Sequence, residues 1–422
     1  MSEPIMVACD LHDRSMLLKL AQGREPAEKV SLANTPAGRE RLLTLLGERS
    51  AALGGAEVIV AYEASSLGFG LYDLLVGAGF RCHVLAPNKI SRPVGHARNK
   101  TDEKDADLIL ETLRGHVLAG NRLPAVWIPD RQTRDDRELV RARLDAASKI
   151  IGLKAQIKNL LKRHGLERPP GVGKGWTKAF HAWLRGLVTG PSALGPGARQ
   201  ALPSLLRQLK HLEEEGKLLE QQIVELAVSP RYVQAYYRVT SISGVGLLSA
   251  MTFLTEIGDP RRFANRRQVA AYFGLIPSAH ESGDRSDCKG HITRQGSGRV
   301  RRVLCQAVWS RLRYDEAAQE AYDRIARRNP KRRKVAVVAG MRRLATQMWH
   351  RACDHPAPSR PAPREEESPP RQMSPARPSA QPPLGLSKRG PRPIHLAVAS
   401  TGDGVTADAT ARRTGLKPRS RK

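Results

Sequence analysis

Asp10, Glu63, Asp102 and Asp105 fall in the first quarter of a 422-residue chain whose formal net charge is +29. Carboxylates gathered inside so basic a chain need a cation between them, and a hard, oxygen-preferring ion such as Mg²⁺ suits them. Phosphodiester cleavage develops charge on both the attacking and the leaving oxygen, and one or two such ions stabilise it. The acidic quartet and the basic balance therefore predict a metal-dependent enzyme acting on nucleic acid. Asp102 and Asp105 are three apart, the spacing that sets two side chains on one face of a helix. Acidic residues in a helix's first turn also complement its dipole, by about 0.3 to 1 kcal/mol each. That pair alone leaves both readings open, and its position after Asp10 and Glu63 favours chemistry. Asp13, Glu103, Asp107 and Glu111 read as solvated charges, with Asp107 able to replace a neighbour if the helix register differs.

A second constellation is Pro277-Ser278-Ala279-His280-Glu281-Ser282-Gly283, followed by Arg285, Lys289, His291, Arg294 and Arg299. A serine before glycine in basic surroundings can offer its hydroxyl to a phosphate, with arginines offsetting the developing negative charge. Ser-Gly is more commonly a turn, and His280 is either a base for Ser282 or a polar loop residue. Ile242-Ser243-Gly244-Val245-Gly246 has the form of a helix-hairpin-helix turn, whose glycine amides hold a DNA phosphate, or of a tight helical corner. Gly171-Val172-Gly173-Lys174-Gly175 lacks the spacing and preceding strand of a phosphate loop, which excludes nucleotide triphosphate binding there. Arg299, Arg301 and Arg302 form the polar side of an amphipathic helix, and Lys331-Arg332-Arg333-Lys334 opens another, both suited to backbone phosphates.

These groups need elements to position them. Met6–Leu11, Met16–Leu20 and Lys29–Leu32 predict three strands, and Thr35-Pro36 caps a following helix. Glu57 to Tyr62 is a buried-type strand ending at Glu63, Leu67 to Val76 a helix, Arg81 to Ala86 a strand, and Thr101 caps a helix to about Leu113. Three strands followed by alternating helix and strand is the order of a ribonuclease-H-like α/β domain. Leu139, Ala146, Leu153 and Leu160 recur every seven residues, as in a coiled coil. A second such stretch runs from Leu205 to Leu226, its seam interrupted by Gly216. The two long helices either fold back on each other or dimerise, and build a spacer. A compact, mostly helical region follows Val239, and the Pro-, Ser- and Arg-rich chain after His355 predicts a disordered tail that holds nucleic acid loosely.

Seventy Lys and Arg against 41 Asp and Glu make a polyanion the default partner. No apolar run approaches the roughly 18 residues of a spanning helix, and Met1-Ser2-Glu3-Pro4 lacks a basic n-region. No membrane partner is expected, and the protein is expected in the cytoplasm, associated with the nucleoid. Five cysteines without C-x-x-C spacing argue against a zinc site or a disulfide framework.

Taken in order, Asp10-Leu11-His12, Tyr62-Glu63-Ala64-Ser65, Lys100-Thr101-Asp102-x-x-Asp105-Ala106, Glu256-Ile257-Gly258-Asp259, Tyr272-x-Gly274-Leu275-x-Pro277, Ser282-Gly283, Ile292-Thr293-Arg294-x-Gly296 and Arg301-Arg302-x-Leu304 form one pattern. It resembles the DEDD transposases of the insertion-sequence one-ten family, over about residues 5 to 350. The resemblance implies a RuvC-like domain over 1–125 with Asp10, Glu63, Asp102 and Asp105 as Mg²⁺ ligands, and a coiled-coil spacer over 126–235. It further implies a transposase domain over 236–350 whose nucleophile is Ser282, leaving 351–422 as the basic tail. Nucleic-acid contacts are then expected from Gly244, Gly246, Arg285, Arg294, Arg299, Arg301 and Arg302. Members of that family are recombinases guided by a structured bridge RNA, joining donor and target DNA as homo-oligomers, here expected as a dimer to tetramer. Arg294 stands where the family often has lysine, and Ser297 where it often has asparagine. Rival readings are a RuvC-like nuclease using water in place of serine, and a non-enzymatic nucleic-acid scaffold.

Overall fold

The computed structural model describes residues 3–91, 101–173, 175–190, 194–279, 289–327 and 329–353. Three antiparallel strands open the chain: β1 (Ile5–Leu11), β2 (Ser15–Gln22) and β3 (Glu28–Ala33). Helix α1 (Pro36–Ala52) starts where expected, the Thr35 hydroxyl accepting from the Gly38 amide at 3.2 Å. Next come β4 (Val58–Glu63), α2 (Gly70–Gly77), β5 (Arg81–Leu85) and α3 (Asp102–Ala119). The five strands form a mixed sheet in the order β3-β2-β1-β4-β5, with β4 parallel to both β1 and β5. The first three strands extend one or two residues beyond expectation, and two helix boundaries differ by more. Helix α2 begins later than Leu67, after Gly68 adopts a φ of +70°, and α3 continues six residues past Leu113 until Gly120 takes a left-handed φ of +69°.

Strand alternation divides the central strands between two cores. Ile5, Val7 and Cys9 with Val58, Val60 and Tyr62 pack among Leu42 and Leu46 of α1 and Leu71 and Leu75 of α2. Met6 and Ala8 with Ile59 and Ala61 pack against Ile109, Leu110 and Leu113 of α3. Burial of both faces explains why β4 reads as a continuous apolar run.

The long helices α4 (Arg131–Arg163) and α6 (Pro196–Ala227), separated by α5 (Lys178–Thr189), fold back on each other. Arg143 meets Glu220 at 2.9 Å and Lys154 meets Glu213 at 2.7 Å, so the pair is antiparallel. Ala146, Leu153, Ile157 and Leu160 are buried on the seam. Gly216, expected to interrupt that seam, is itself buried and lies against Arg143 and Ile150, where its missing side chain admits them. The base of this hairpin is part of the helical core that follows: Val140, Leu144, Ile223 and Ala227 join Phe253, Phe273, Leu304 and Trp349 in one cluster.

That core comprises α7 (Val233–Thr240), α8 (Leu247–Ile257), α9 (Arg266–Tyr272), α10 (Gly298–Arg311), α11 (Glu316–Ala326) and α12 (Arg333–Ala352). A small hairpin of β6 (Pro277–Ala279) and β7 (Lys289–Ile292) projects between α9 and α10. The buried guanidinium of Arg137 on α4 donates to the Thr255 and Glu256 carbonyls at 2.7 and 3.0 Å, tying the hairpin base to the end of α8. The basic tail expected from 351 lies, beyond Cys353, outside the described residues. No helix among the described residues is long and apolar enough to cross a membrane.

Candidate metal centre

Asp10 lies next to last on β1, and Cys9 pairs in register with Tyr62, so the next residue on each strand, Asp10 and Glu63, sit side by side at adjacent strand ends. Alternation puts both on the face of Met6, Ala8, Ile59 and Ala61, the face covered by α3. Helix α3 starts over that same end because the Thr101 hydroxyl caps it, accepting from the Lys104 amide at 3.3 Å, and Asp102 and Asp105 occupy its first turn. The fold thus brings the four acidic positions picked from the sequence to one end of one sheet face.

The closest grouping within that region is Asp10, His12 and Asp102, whose ligand atoms all lie within 4.8 Å of one another. Nε2 of His12 is 3.0 Å from Asp10 Oδ2 and 3.5 Å from Asp102 Oδ1. Glu63 and Asp105 fall outside this grouping: Glu63 takes its register position on β4 next to Asp10's strand, and Asp105 lies a helical turn further along α3, buried. Burial raises the Asp10 carboxyl above its ordinary pKa, and Asp102 and Asp105 add to the rise while His12 opposes it. Carboxylates that burden one another in this way, with an imidazole at the rim, are a donor set suited to a hard divalent cation. The sequence motif Asp10-Leu11-His12 assigns no role to His12. Its signal was the two-residue spacing from Asp10, which returns the chain to the same side.

Of the other acids of α3, Glu111 is an exposed charge beside Arg114, whereas Glu103 and Asp107 form ion pairs beyond their reading as solvated charges. Glu103 and Asp107, four apart, meet the buried Lys19 of β2 at 3.0 and 3.1 Å, and Glu103 also meets Lys29 of β3 at 3.0 Å. Burial opposes the charge on Lys19, but hydrogen bonds to Glu103 and Asp107 outweigh it and hold the ammonium above its usual range. Helical spacing therefore splits one acidic stretch into a pair facing the strand ends and a pair facing lysines, and Asp107 does not replace a member of the quartet.

Ser282 and Arg285, with His280, lie outside the described residues, between the two strands of the β6–β7 hairpin. The motifs flanking that hairpin interlock. A side chain at Gly274 (φ +64°) would lie 2.1 Å from the Gln295 carbonyl oxygen, and one at Gly296 (φ +79°) would lie 2.0 Å from that of Tyr272. Arg294 between them adopts a φ of +55°. The Arg301 guanidinium donates to the carbonyls of Phe273, Gln295 and Gly296, pinning the same crossing. Arg299 pairs with Asp145 at 3.0 Å and Arg302 donates to Ser148 at 2.6 Å, both on α4. A side chain at Gly244 (φ +82°) would fall within 3 Å of the α10 backbone, as in a tight helical corner, while Gly246 is exposed ahead of α8.

Two family models match this chain. One, a transposase model of the DEDD IS110 type, covers residues 9–165, and the other, described as "Transposase IS116/IS110/IS902 family", covers residues 236–323. Together they span more than half of the chain. Among curated relatives, "Putative transposase y4qE" of Sinorhizobium fredii is 32% identical over 60% of this chain and 58% of its own length. The transposase for insertion sequence element IS1111A of Coxiella burnetii is 27% identical over 58% of this chain and 63% of its own. An IS110 insertion-element protein of Streptomyces coelicolor is 24% identical over 72% and 83%. The chain spans about six tenths of the length of the first two relatives.

Proposed function

Because this chain belongs to the IS110 family of DEDD transposases, we propose that it cuts and rejoins DNA at the ends of an insertion sequence. Mg²⁺ is the proposed cofactor, held by Asp10, Glu63, Asp102 and Asp105 with His12 at the rim. The observation that carries this reading is the meeting of Asp10, His12 and Asp102 within 4.8 Å, at the strand ends beneath the first turn of α3, in a chain of net charge +29. When bound, the cation supplies Lewis-acid stabilisation of charge on phosphodiester oxygens.

Ser282 is the proposed nucleophile. Its oxygen forms a bond to phosphorus as the bond to the leaving sugar oxygen breaks; the serine proton is lost and the departing oxygen is protonated to a free hydroxyl. Attack by the hydroxyl of another strand on the phosphoserine reverses these steps and releases the enzyme. The interlocked Gly274–Gly296 crossing and Arg301 support this by tying together the segments on either side of the stretch that contains Ser282. Donor and target DNA are the proposed substrates, a bridge RNA the proposed guide and a homo-oligomer the proposed working form, all on the strength of the family resemblance. By this reading Gly244, Gly246, Arg285, Arg294, Arg299, Arg301 and Arg302 line or support the nucleic-acid path.

A plasmid excision assay tests the reading. Asp10→Asn and Ser282→Ala each abolish excision, and Ser282→Ala also removes a protein–DNA adduct that survives denaturation. Excision persisting in Ser282→Ala with loss in Asp10→Asn points instead to a nuclease using water, and persistence in both refutes the enzyme site. A discrete RNA copurifying with the protein supports the guide, and its absence from active protein refutes it.

A further inference from the structure

Helix α12 is divided lengthwise. Val337, Met341, Leu344, Ala345, Met348 and Trp349 face the core, whereas Arg342, Arg343, Thr346, Gln347 and His350 share another stripe at spacings of three, four and seven. That stripe forms one wall of an open groove of about 550 Å³, and Arg266 and Arg267 of α9 form the other. Ala270 and Ala339 leave its floor shallow. No acidic residue lines the groove, and all four arginines are exposed. Among the described residues none of the four forms an ion pair, while on α10 Arg299 is held by Asp145, Arg302 by Ser148 and Arg311 by Asp315. Arg299 and Arg302, which sequence periodicity nominates for phosphate, are thus engaged within the protein, and four arginines it passed over converge without a counter-charge among the described residues.

Four guanidinium groups drawn into one concavity repel one another unless an anion enters between them. Guanidinium forks and the neutral amide donor of Gln347 match phosphate oxygens, and the shallow alanine floor admits a backbone close to the helices. The lining carries no aromatic ring apart from the imidazole of His350, so it lacks the stacking surface on which unpaired bases are held. We infer that the α9–α12 groove binds the sugar-phosphate backbone of duplex DNA, gripping it without reading its bases. This inference rests on the reading of the chain as a protein that acts on DNA, and it identifies a contact surface apart from the metal centre.

The test measures binding alone, in the full-length Asp10→Asn chain with chelator present, so that loss of strand transfer has no bearing on it. Fluorescence anisotropy with a short DNA duplex and a matched RNA duplex gives the slope of log affinity against log salt. Each duplex phosphate contact contributes about 0.9 to that slope. Adding Arg266→Gln and Arg342→Gln together is expected to flatten the DNA slope by about 1.8, equally for unrelated sequences. The Arg266→Lys, Arg342→Lys pair retains the slope, and an Arg185→Gln, Lys217→Gln pair, on α5 and α6, controls for net charge. An unchanged DNA slope in the glutamine variant, a loss confined to the RNA duplex, or an equal flattening in the control overturns the groove. Matching melting temperatures across the variants establish that each is folded.

Discussion

Replacing Asp10 by asparagine exchanges function for stability, by an amount the site geometry sets. Ligand atoms of Asp10 and Asp102 lie within 4.8 Å, and the Asp102 side chain is 66% exposed, so a water-like permittivity applies to their repulsion. Two like charges at that separation then cost about 1 kcal/mol. Asparagine removes the charge while its oxygen still accepts from His12 at the 3.0 Å position of Asp10 Oδ2. In chelator the variant is therefore expected to melt about 2 °C above the parent chain. With a divalent ion at about one hundred times its dissociation constant the parent gains about 2.7 kcal/mol, while the variant, lacking a central ligand, gains less, and the order of melting reverses. Differential scanning fluorimetry with and without Mg²⁺ reads both effects. A variant that melts below the parent in chelator, or one that gains as much from the ion, refutes the metal centre.

Other perturbations probe the scaffold around the sites. Gly274→Ala places a residue at φ +64° and a methyl carbon 2.1 Å from the Gln295 oxygen; left-handed strain alone costs about 1 to 2 kcal/mol, so urea denaturation is expected to reveal at least that loss, with excision falling in parallel. Arg137→Met strands the Thr255 carbonyl at the end of α8 and leaves that of Glu256 with the Tyr272 hydroxyl; bonds to a charged donor contribute about 1.5 to 3 kcal/mol each, and a chemical-denaturation loss below about 1 kcal/mol counts against that tie. Asp315 supplies an acid-side signature. Burial raises its carboxyl, but the Ala318 amide and Arg311 outweigh that and hold it below the ordinary range. Its folded pKa lies under the unfolded one, so its stabilisation is complete above the usual carboxylate range and lost as pH falls through the folded value. Asp315→Asn is expected to flatten the melting-temperature profile on that acidic side and leave the neutral side parallel to the parent.

Much of the N-terminal region was legible in the chain, because short-range physics writes it there. Apolar runs ending at Asp10 and Glu63, the Thr35-Pro36 start and the Thr101 cap each depend on a few neighbouring residues, and strands and helices formed at them. The heptad spacing of Ala146, Leu153 and Leu160 likewise announced a helix with one buried seam. Periodicity names the apolar face of an element and is silent about what meets its polar face. Nothing local distinguishes Asp105 from Asp107, yet the first lies over the strand ends and the second meets Lys19, because α3 crosses β1 and β2 at one particular angle. The same blindness covered His12, the close approach at Gly216, and the arginines of α10, which α4 engages from more than a hundred residues away. Residue types and their order thus singled out the groups proposed to do chemistry. Packing between distant segments decided which charges are spent inside the protein and which are left to face a ligand, since Coulomb and hydrogen-bond energies depend on separations that only the folded chain defines.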